Sequence, residues 1–227
     1  MGPEVGSALR LSVQVALVAT VVIFPVATVL AYWMARHDFP GKGLVAALTT
    51  LPLVMPPTAM GLLLLRLFGA DGLLGRNTLG FDLDLVLTWK GAVVAAGIMS
   101  LPLVVRTARV SFEAVDPRLE SMARTLGHGH SSTFFRFTLP LARRGLVAAA
   151  ILGFTRAVGE FGAAMMVAGN IPGRTRTLSM ALYSAQQQGR DVEATTFLLI
   201  AIAVGVVAVF ASERLADPKL SRRGAGR

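Results

Sequence analysis

Three clusters of residues have types and spacing that suit chemistry. The first is Arg156, Gly159, Glu160 and Gly162, within RAVGEFGA in an otherwise apolar run. Arg156 precedes Glu160 by four residues, so on a helix the two face each other and pair. Ionisable groups inside an apolar span are costly and point to function. The flanking glycines allow a break or a close approach. Two readings stand: an ion pair that holds a broken helix, or a gate at the outer end of a path. A carboxylate repels anions, so Glu160 does not read as an anion ligand. The second cluster is Thr175, Arg176 and Thr177, following Pro172-Gly173. Arginine and hydroxyls suit a tetrahedral oxyanion; a solvated loop is the alternative. The third is the polar stretch from Glu120 to Pro140, ESMARTLGHGHSSTFFRFTLP, set between long apolar runs.

Several chemistries lack their residues. There is no cysteine, hence no disulfide and no thiolate metal site. His37, His128 and His130 have no acidic or thiol partners in sequence, so no metal is expected. No G-x-x-x-x-G-K-[ST] loop cradles a nucleotide, so any ATP hydrolysis must come from another chain. No nucleophile–base arrangement suggests a catalytic residue, and no cofactor is expected.

The elements that carry these clusters follow from composition. Of 227 residues, 54% are hydrophobic and 15% charged, against about 25% charged in a soluble domain. Several uncharged runs reach the roughly 20 residues that cross a bilayer. The chain reads as a polytopic α-helical membrane protein in contact with lipid. The net charge of +9 sits beside the apolar runs, as membrane topology demands, and does not point to nucleic acid. The N-terminus does not read as a cleavable signal, having only Glu4 and Arg10 as charges before Leu11.

Five spans are expected: 11–35, 43–65, about 85–105, one from Gly145 interrupted by Arg156 and Glu160, and 194–212. Tyr32 and Trp33 read as an interfacial anchor of the first span. The second contains Pro52, Pro56 and Pro57 and must bend or break. Such a break is tolerated only where protein buries it or it lines a cavity, which makes Pro56 and Pro57 candidates for a translocation path. Residues 178–188 are helix-competent but too short to span, and are expected as an outer-face or partly inserted helix. With the N-terminus outside, 14 of the 22 basic residues fall on the inner side and seven on the outer, Arg156 being within a span. This bias predicts N-out, C-in, with 106–144 in the cytoplasm.

Within that loop, Asp116-Pro117 reads as a helix start and Gly127 as its stop. Leu119, Met122, Ala123 and Leu126 follow the spacing of a helix that docks in a groove. Packing of the same helix on its own bundle is the other reading.

Gly127, nine further residues, then Phe137-Thr-Leu-Pro140 resembles the cytoplasmic EAA loop of ABC-transporter permeases. The resemblance extends over nearly the whole chain: Phe39-Pro-Gly-Lys42, Leu51-Pro-Leu-Val-Met-Pro-Pro57, Trp89-Lys-Gly-Ala92, Met99-Ser-Leu-Pro-Leu-Val104, Val115-Asp116, Leu119-Glu120, Ala123-Arg-Thr-Leu-Gly127, Gly159-Glu-Phe-Gly-Ala163, Asn170-Ile-Pro-Gly173 and Thr175-Arg-Thr177. These blocks look like the molybdate ABC-importer permease family. The resemblance implies a type I importer permease fold in one transmembrane domain, 1–227, of the bacterial inner membrane, with a coupling loop at about 114–140 and a short coupling helix. It implies a second permease copy, two cytoplasmic ATPases and an outer oxyanion-binding protein. ATPase coupling would fall to Leu119, Glu120, Ser121, Met122, Ala123, Arg124, Leu126 and Gly127. The chain departs from the EAA pattern at Ser121 in the Glu position, Met122 in the first Ala position and Phe137 in the Ile position, with Glu120 one residue early. A sulfate, tungstate or other oxyanion permease is the alternative within the class, and an ion-coupled secondary transporter the alternative outside it.

Overall fold

A computed structural model describes residues 2–216. Lys219, Arg222, Arg223 and Arg227, counted above in the charge bias, lie outside the described residues. All regular elements among the described residues are helical. In chain order they are α1 (Gly2–Arg36), α2 (Lys42–Val54), α3 (Pro57–Phe68), α4 (Arg76–Leu79), α5 (Trp89–Glu113), α6 (Pro117–Thr125), α7 (His130–Thr133), a π-helical turn (Phe134–Thr138), α8 (Leu139–Val158), α9 (Gly162–Ala168), α10 (Leu178–Gln187) and α11 (Asp191–Ala216).

Among the described residues, four helices are long and apolar enough to cross a membrane: Glu4–Arg36, Trp89–Glu113, the continuous rod His130–Val158 and Asp191–Phe210. Between α2 and α3 the chain bends by 113°. The bend sits where Pro56 and Pro57 cannot donate to a continuing helix. Counted as one broken span, the pair gives five.

Two packed clusters show how the pair runs. Near the Arg36 end, Ala27, Ala31 and Met34 of α1 meet Val104, Ala108 and Phe112 of α5 and Ala142, Leu146 and Ala149 of α8, and Val45 and Ala46 of α2 join them. In the opposite half, Val15, Ala16 and Ala19 of α1 meet Ala92, Ala95 and Ala96 of α5, Ala163, Ala164 and Val167 of α9, and Met60 and Leu64 of α3. The α2–α3 pair therefore passes from one half of the bundle to the other despite its bend. Alanine dominates both clusters because, in lipid, helices associate by close backbone approach rather than by expelling water. α5 is the central and most buried of the spans.

Two expectations are corrected. The first span starts at Gly2 rather than residue 11, its polar first turns extending the helix beyond the hydrocarbon-length segment. The fourth helix starts at His130 rather than Gly145. Pro140 does not interrupt it, because the preceding turn widens: Leu139 N–H reaches back five residues to the Phe134 carbonyl, which accommodates a residue that cannot donate. Tyr32 also ties elements together: its ring packs edge-on against Phe112 at 5.3 Å and Phe134 at 4.7 Å, joining α1 to α5 and the π turn, while Trp33 stacks on Phe39 at 3.9 Å.

Within 178–188 the chain forms α10 (Leu178–Gln187), too short at about 15 Å to cross a bilayer. Its Leu178, Ala181 and Ala185 pack with Ala8 of α1 and with Ala194 and Phe197 of α11. Leu178 N–H, at the start of α10, donates to Ser12 Oγ of α1 at 2.7 Å.

Candidate functional site

The segment 114–140 folds as its residue types require. Asp116 accepts from Arg118 N–H at 2.9 Å and Pro117 opens α6, so one of the orphan donors of the first turn is satisfied. The other end closes on Gly127. Its φ is +89°, His128 N–H donates to the Ala123 carbonyl and Gly127 N–H to the Arg124 carbonyl. This is the paired bonding of a helix stopped by a left-handed glycine. A Cβ at Gly127 meets nothing within 4 Å, so a substitution there strains only the backbone, by about 1–2 kcal/mol. Gly127→Val is therefore expected to shift the end of α6 and leave insertion intact. Unchanged labelling of single cysteines placed at Thr125 and Leu126 in that variant would refute the need for a left-handed glycine at the stop.

The stripe expected on α6 is divided. Leu119, Met122 and Leu126 are 44%, 61% and 79% exposed. Ala123 is buried with Glu120, because residues three apart share a helix face. Ala123 thus belongs to the packed face and not to an outward stripe. Ser121 and Arg124 are exposed on the remaining arc, Arg124 Nη2 donating to Ser121 Oγ at 3.3 Å.

Glu120 is the residue that holds α6 to the bundle. Arg36, at the end of α1, donates from Nε to Glu120 Oε1 at 3.0 Å, and its Nη2 lies 2.8 Å from the same oxygen. Arg36 Nη2 also donates to the Val115 carbonyl at 3.1 Å. Thr138, fully buried at the π turn, donates to Glu120 Oε1 at 2.8 Å. One carboxylate oxygen therefore joins α6, α1 and the rod that becomes α8. Sequence reasoning missed Arg36 and Thr138, which lie 84 and 18 residues from Glu120. The signal available was Glu120 at i−3 from Ala123, which places a carboxylate on the packed face and demands a partner.

The second cluster is an ion pair in a broken helix. Arg156 Nη1 lies 2.8 Å from Glu160 Oε2, the side chains being 28% and 2% exposed. The second oxygen of Glu160 accepts from Ala163 N–H at 2.9 Å, capping α9 where orphan donors and the helix dipole favour an anion. The two breaks in the fold meet here. A Cβ on Gly162 would lie 2.9 Å from Pro57 Cβ, and one on Gly61 would lie 2.8 Å from the Ala163 Cα. α3 and α9 approach this closely only because both positions are glycine. Gly159, by contrast, ends α8 with ordinary backbone angles and open surroundings, so contact does not demand its lack of a side chain. Pro56, Pro57 and Thr58 are exposed.

The third cluster is not a solvated loop. Thr175 and Thr177 are buried. Thr175 Oγ1 accepts from Ile171 N–H at 2.9 Å. Arg176 donates to Asn170 Oδ1 at 2.8 Å and to Glu4 Oε1 of α1 at 2.6 Å. These groups hold a turn against α1 and leave Arg174 as the exposed cation of the segment. His37 and His128 contact the Trp33 carbonyl and Ser132 Oγ, and no group of three potential metal ligands occurs among the described residues.

Comparison with known proteins agrees with this architecture. Residues 27–222 match the family model described as binding-protein-dependent transport system inner membrane component. The chain is 40% identical over 222 residues to the molybdenum transport system permease protein ModB of Escherichia coli K12, covering 97% of this chain and 96% of that protein. It is 32% identical over 224 residues to the sulfate transport system permease protein CysT of Salmonella typhimurium LT2, covering 99% of this chain and 80% of that protein. Its fold is similar to a chain of the MetNI methionine ABC transporter in an inward-facing conformation, with a TM-score of 0.68 at 18% identity over 95% of this chain and 94% of that one.

Proposed function

The chain belongs to the family of binding-protein-dependent transport system inner membrane components, as an ABC-transporter permease subunit of the inner membrane, and from that premise we propose that it forms the path of an ATP-driven molybdate importer. The observation that carries molybdate over sulfate is the 40% identity to the molybdenum permease over nearly the whole chain, against 32% to the sulfate permease. Tungstate shares the charge and tetrahedral shape of molybdate and is the second substrate to test.

In this reading two copies enclose the path and two ATPases bind from the cytoplasm. An outer oxyanion-binding protein delivers the anion, and ATP hydrolysis belongs to the ATPases. α6 is the coupling helix, with Leu119, Met122 and Leu126 as the docking side chains. Glu120, fastened to Arg36 and Thr138, carries motion of α6 into α1 and α8. The meeting of the breaks at Pro56-Pro57 and Gly159–Gly162 is the candidate gate, because helix ends swing more readily there than in an unbroken helix. The Arg156–Glu160 pair secures the α8–α9 break. Thr175, Arg176 and Thr177 shape the outer turn rather than bind the anion.

The deciding experiment is purification in gentle detergent, identification of the copurifying ATPase, and uptake into right-side-out vesicles or proteoliposomes loaded with ATP and supplied with the outer binding protein. Uptake should require ATP, prefer molybdate to sulfate and persist when the proton gradient is dissipated. Gradient-dependent uptake without ATP would refute the reading.

Orientation has its own check. The chain has no cysteine, so single cysteines report cleanly. Ser131→Cys, at an exposed site beside α6, is expected to react only with reagents that reach the cytoplasm. Arg174→Cys, exposed at the opposite end, is expected to react from outside. The reverse pattern would place α6 away from any ATPase.

A further inference from the structure

α6 presents three faces. At about 100° per residue, Glu120 and Ala123 fall together, and both are buried. Leu119, Met122 and Leu126 fall within about 60° of one another, and all are exposed. Arg118, Thr125, Ser121 and Arg124 complete the turn, also exposed.

The glutamates of this end are paired with cations, and the aspartate caps the helix. Glu120 Oε1 serves Arg36 and Thr138. Asp116 Oδ1 accepts from Arg118 N–H. Glu113 pairs with Arg109 at 2.7 Å. Arg118, Arg124 and Arg136, by contrast, have no carboxylate partner within 4 Å among the described residues. Ser121 stands where the EAA pattern carries its glutamate, and it offers a hydroxyl. The outward surface of α6 is thus an apolar ridge flanked by the unpaired Arg118 and Arg124, with Asp116 at its cap as the exposed carboxylate.

Resting on the coupling reading, we infer that the partner groove which receives α6 has an apolar floor under Leu119, Met122 and Leu126 and acidic side chains at its rim opposite Arg118 and Arg124. A basic rim would place like charges together and slow encounter, whereas carboxylates match guanidinium geometry in pairs of hydrogen bonds. An anionic membrane surface has the same sign of charge. A nine-residue helix with a fixed stop and only three outward apolar side chains buries little in a bilayer, and fits a shaped groove better.

The test uses zero-length coupling in the transporter purified with its ATPase. Arg118→Lys and Arg124→Lys each put a primary amine at an exposed site, and a carbodiimide joins an amine to a carboxylate only in direct contact. Met122→Cys carrying a photoreactive benzophenone reports the floor. The expected result is a permease–ATPase product in each lysine variant, absent from the unsubstituted chain and mapping to Asp or Glu of the ATPase. The benzophenone should label apolar residues of the same subunit. If the benzophenone labels the ATPase and neither lysine couples to it, the acidic rim is overturned while docking stands. If the benzophenone labels lipid, or nothing on a copurified ATPase, the coupling reading itself fails.

Discussion

Glu120→Ala is expected to destabilise the chain by about 3–5 kcal/mol, the cost of stranding a buried charge by removing its partner. The stranded group is Arg36, whose side chain is 11% exposed and keeps only the Val115 carbonyl. Thr138, fully buried, loses its acceptor as well. For a chain of this size the loss corresponds to a fall in Tm of roughly 6–20 °C, readable by thermal unfolding in detergent. Glu120→Gln keeps an oxygen for Arg36 and Thr138 and should cost less. Arg36→Met combined with Glu120→Gln removes the unpaired cation and should cost less than Glu120→Ala. If Glu120→Ala unfolds at the unsubstituted temperature, the carboxylate does not fasten α6. The functional readout separates fastening from mere stability: in folded Glu120→Gln, ATP hydrolysis should persist while transport per ATP declines.

Arg156→Ala should cost more than Glu160→Ala, although the two residues form one pair. The exposures decide this. Glu160 is 2% exposed in its side chain and Arg156 28%. Removing arginine strands a carboxylate that the protein encloses, at about 3–5 kcal/mol. Removing glutamate leaves an arginine that the protein only partly encloses, together with an uncapped Ala163 N–H, at about 1–3 kcal/mol. The double variant should resemble Glu160→Ala and be more stable than Arg156→Ala. Protein yield and thermal unfolding of the three variants measure the order. The opposite order would show that Glu160 is not held as a buried anion. A proton-coupled role makes a different forecast, in which Glu160→Gln abolishes uptake even with an intact ATPase.

Much of the architecture is legible in one dimension. A membrane span is a matter of length and of the cost of charge in hydrocarbon, and both are properties of consecutive residues. So are the start of α6 at Asp116-Pro117, its stop at Gly127 and the bend at Pro56-Pro57, because caps and proline act on backbone groups a few residues away. The Arg156–Glu160 pair is equally local, four residues apart on one helix.

Tertiary structure alone decided the rest. Which face of α6 turns inward depends on Arg36 and Thr138, brought to Glu120 from far along the chain. Arg176 reads as a loop cation until Glu4, 172 residues away, is placed beside it. That Tyr32 ties α1 to α5 and the π turn is visible only once Phe112 and Phe134 are packed against it. The two helix breaks are visible separately, but their meeting rests on Gly61 and Gly162, whose role is the absence of a side chain where α3 and α9 touch. Periodicity shows which residues share a face. It cannot show what that face will meet, because partners are chosen by the packing of distant segments and not by neighbours in the chain.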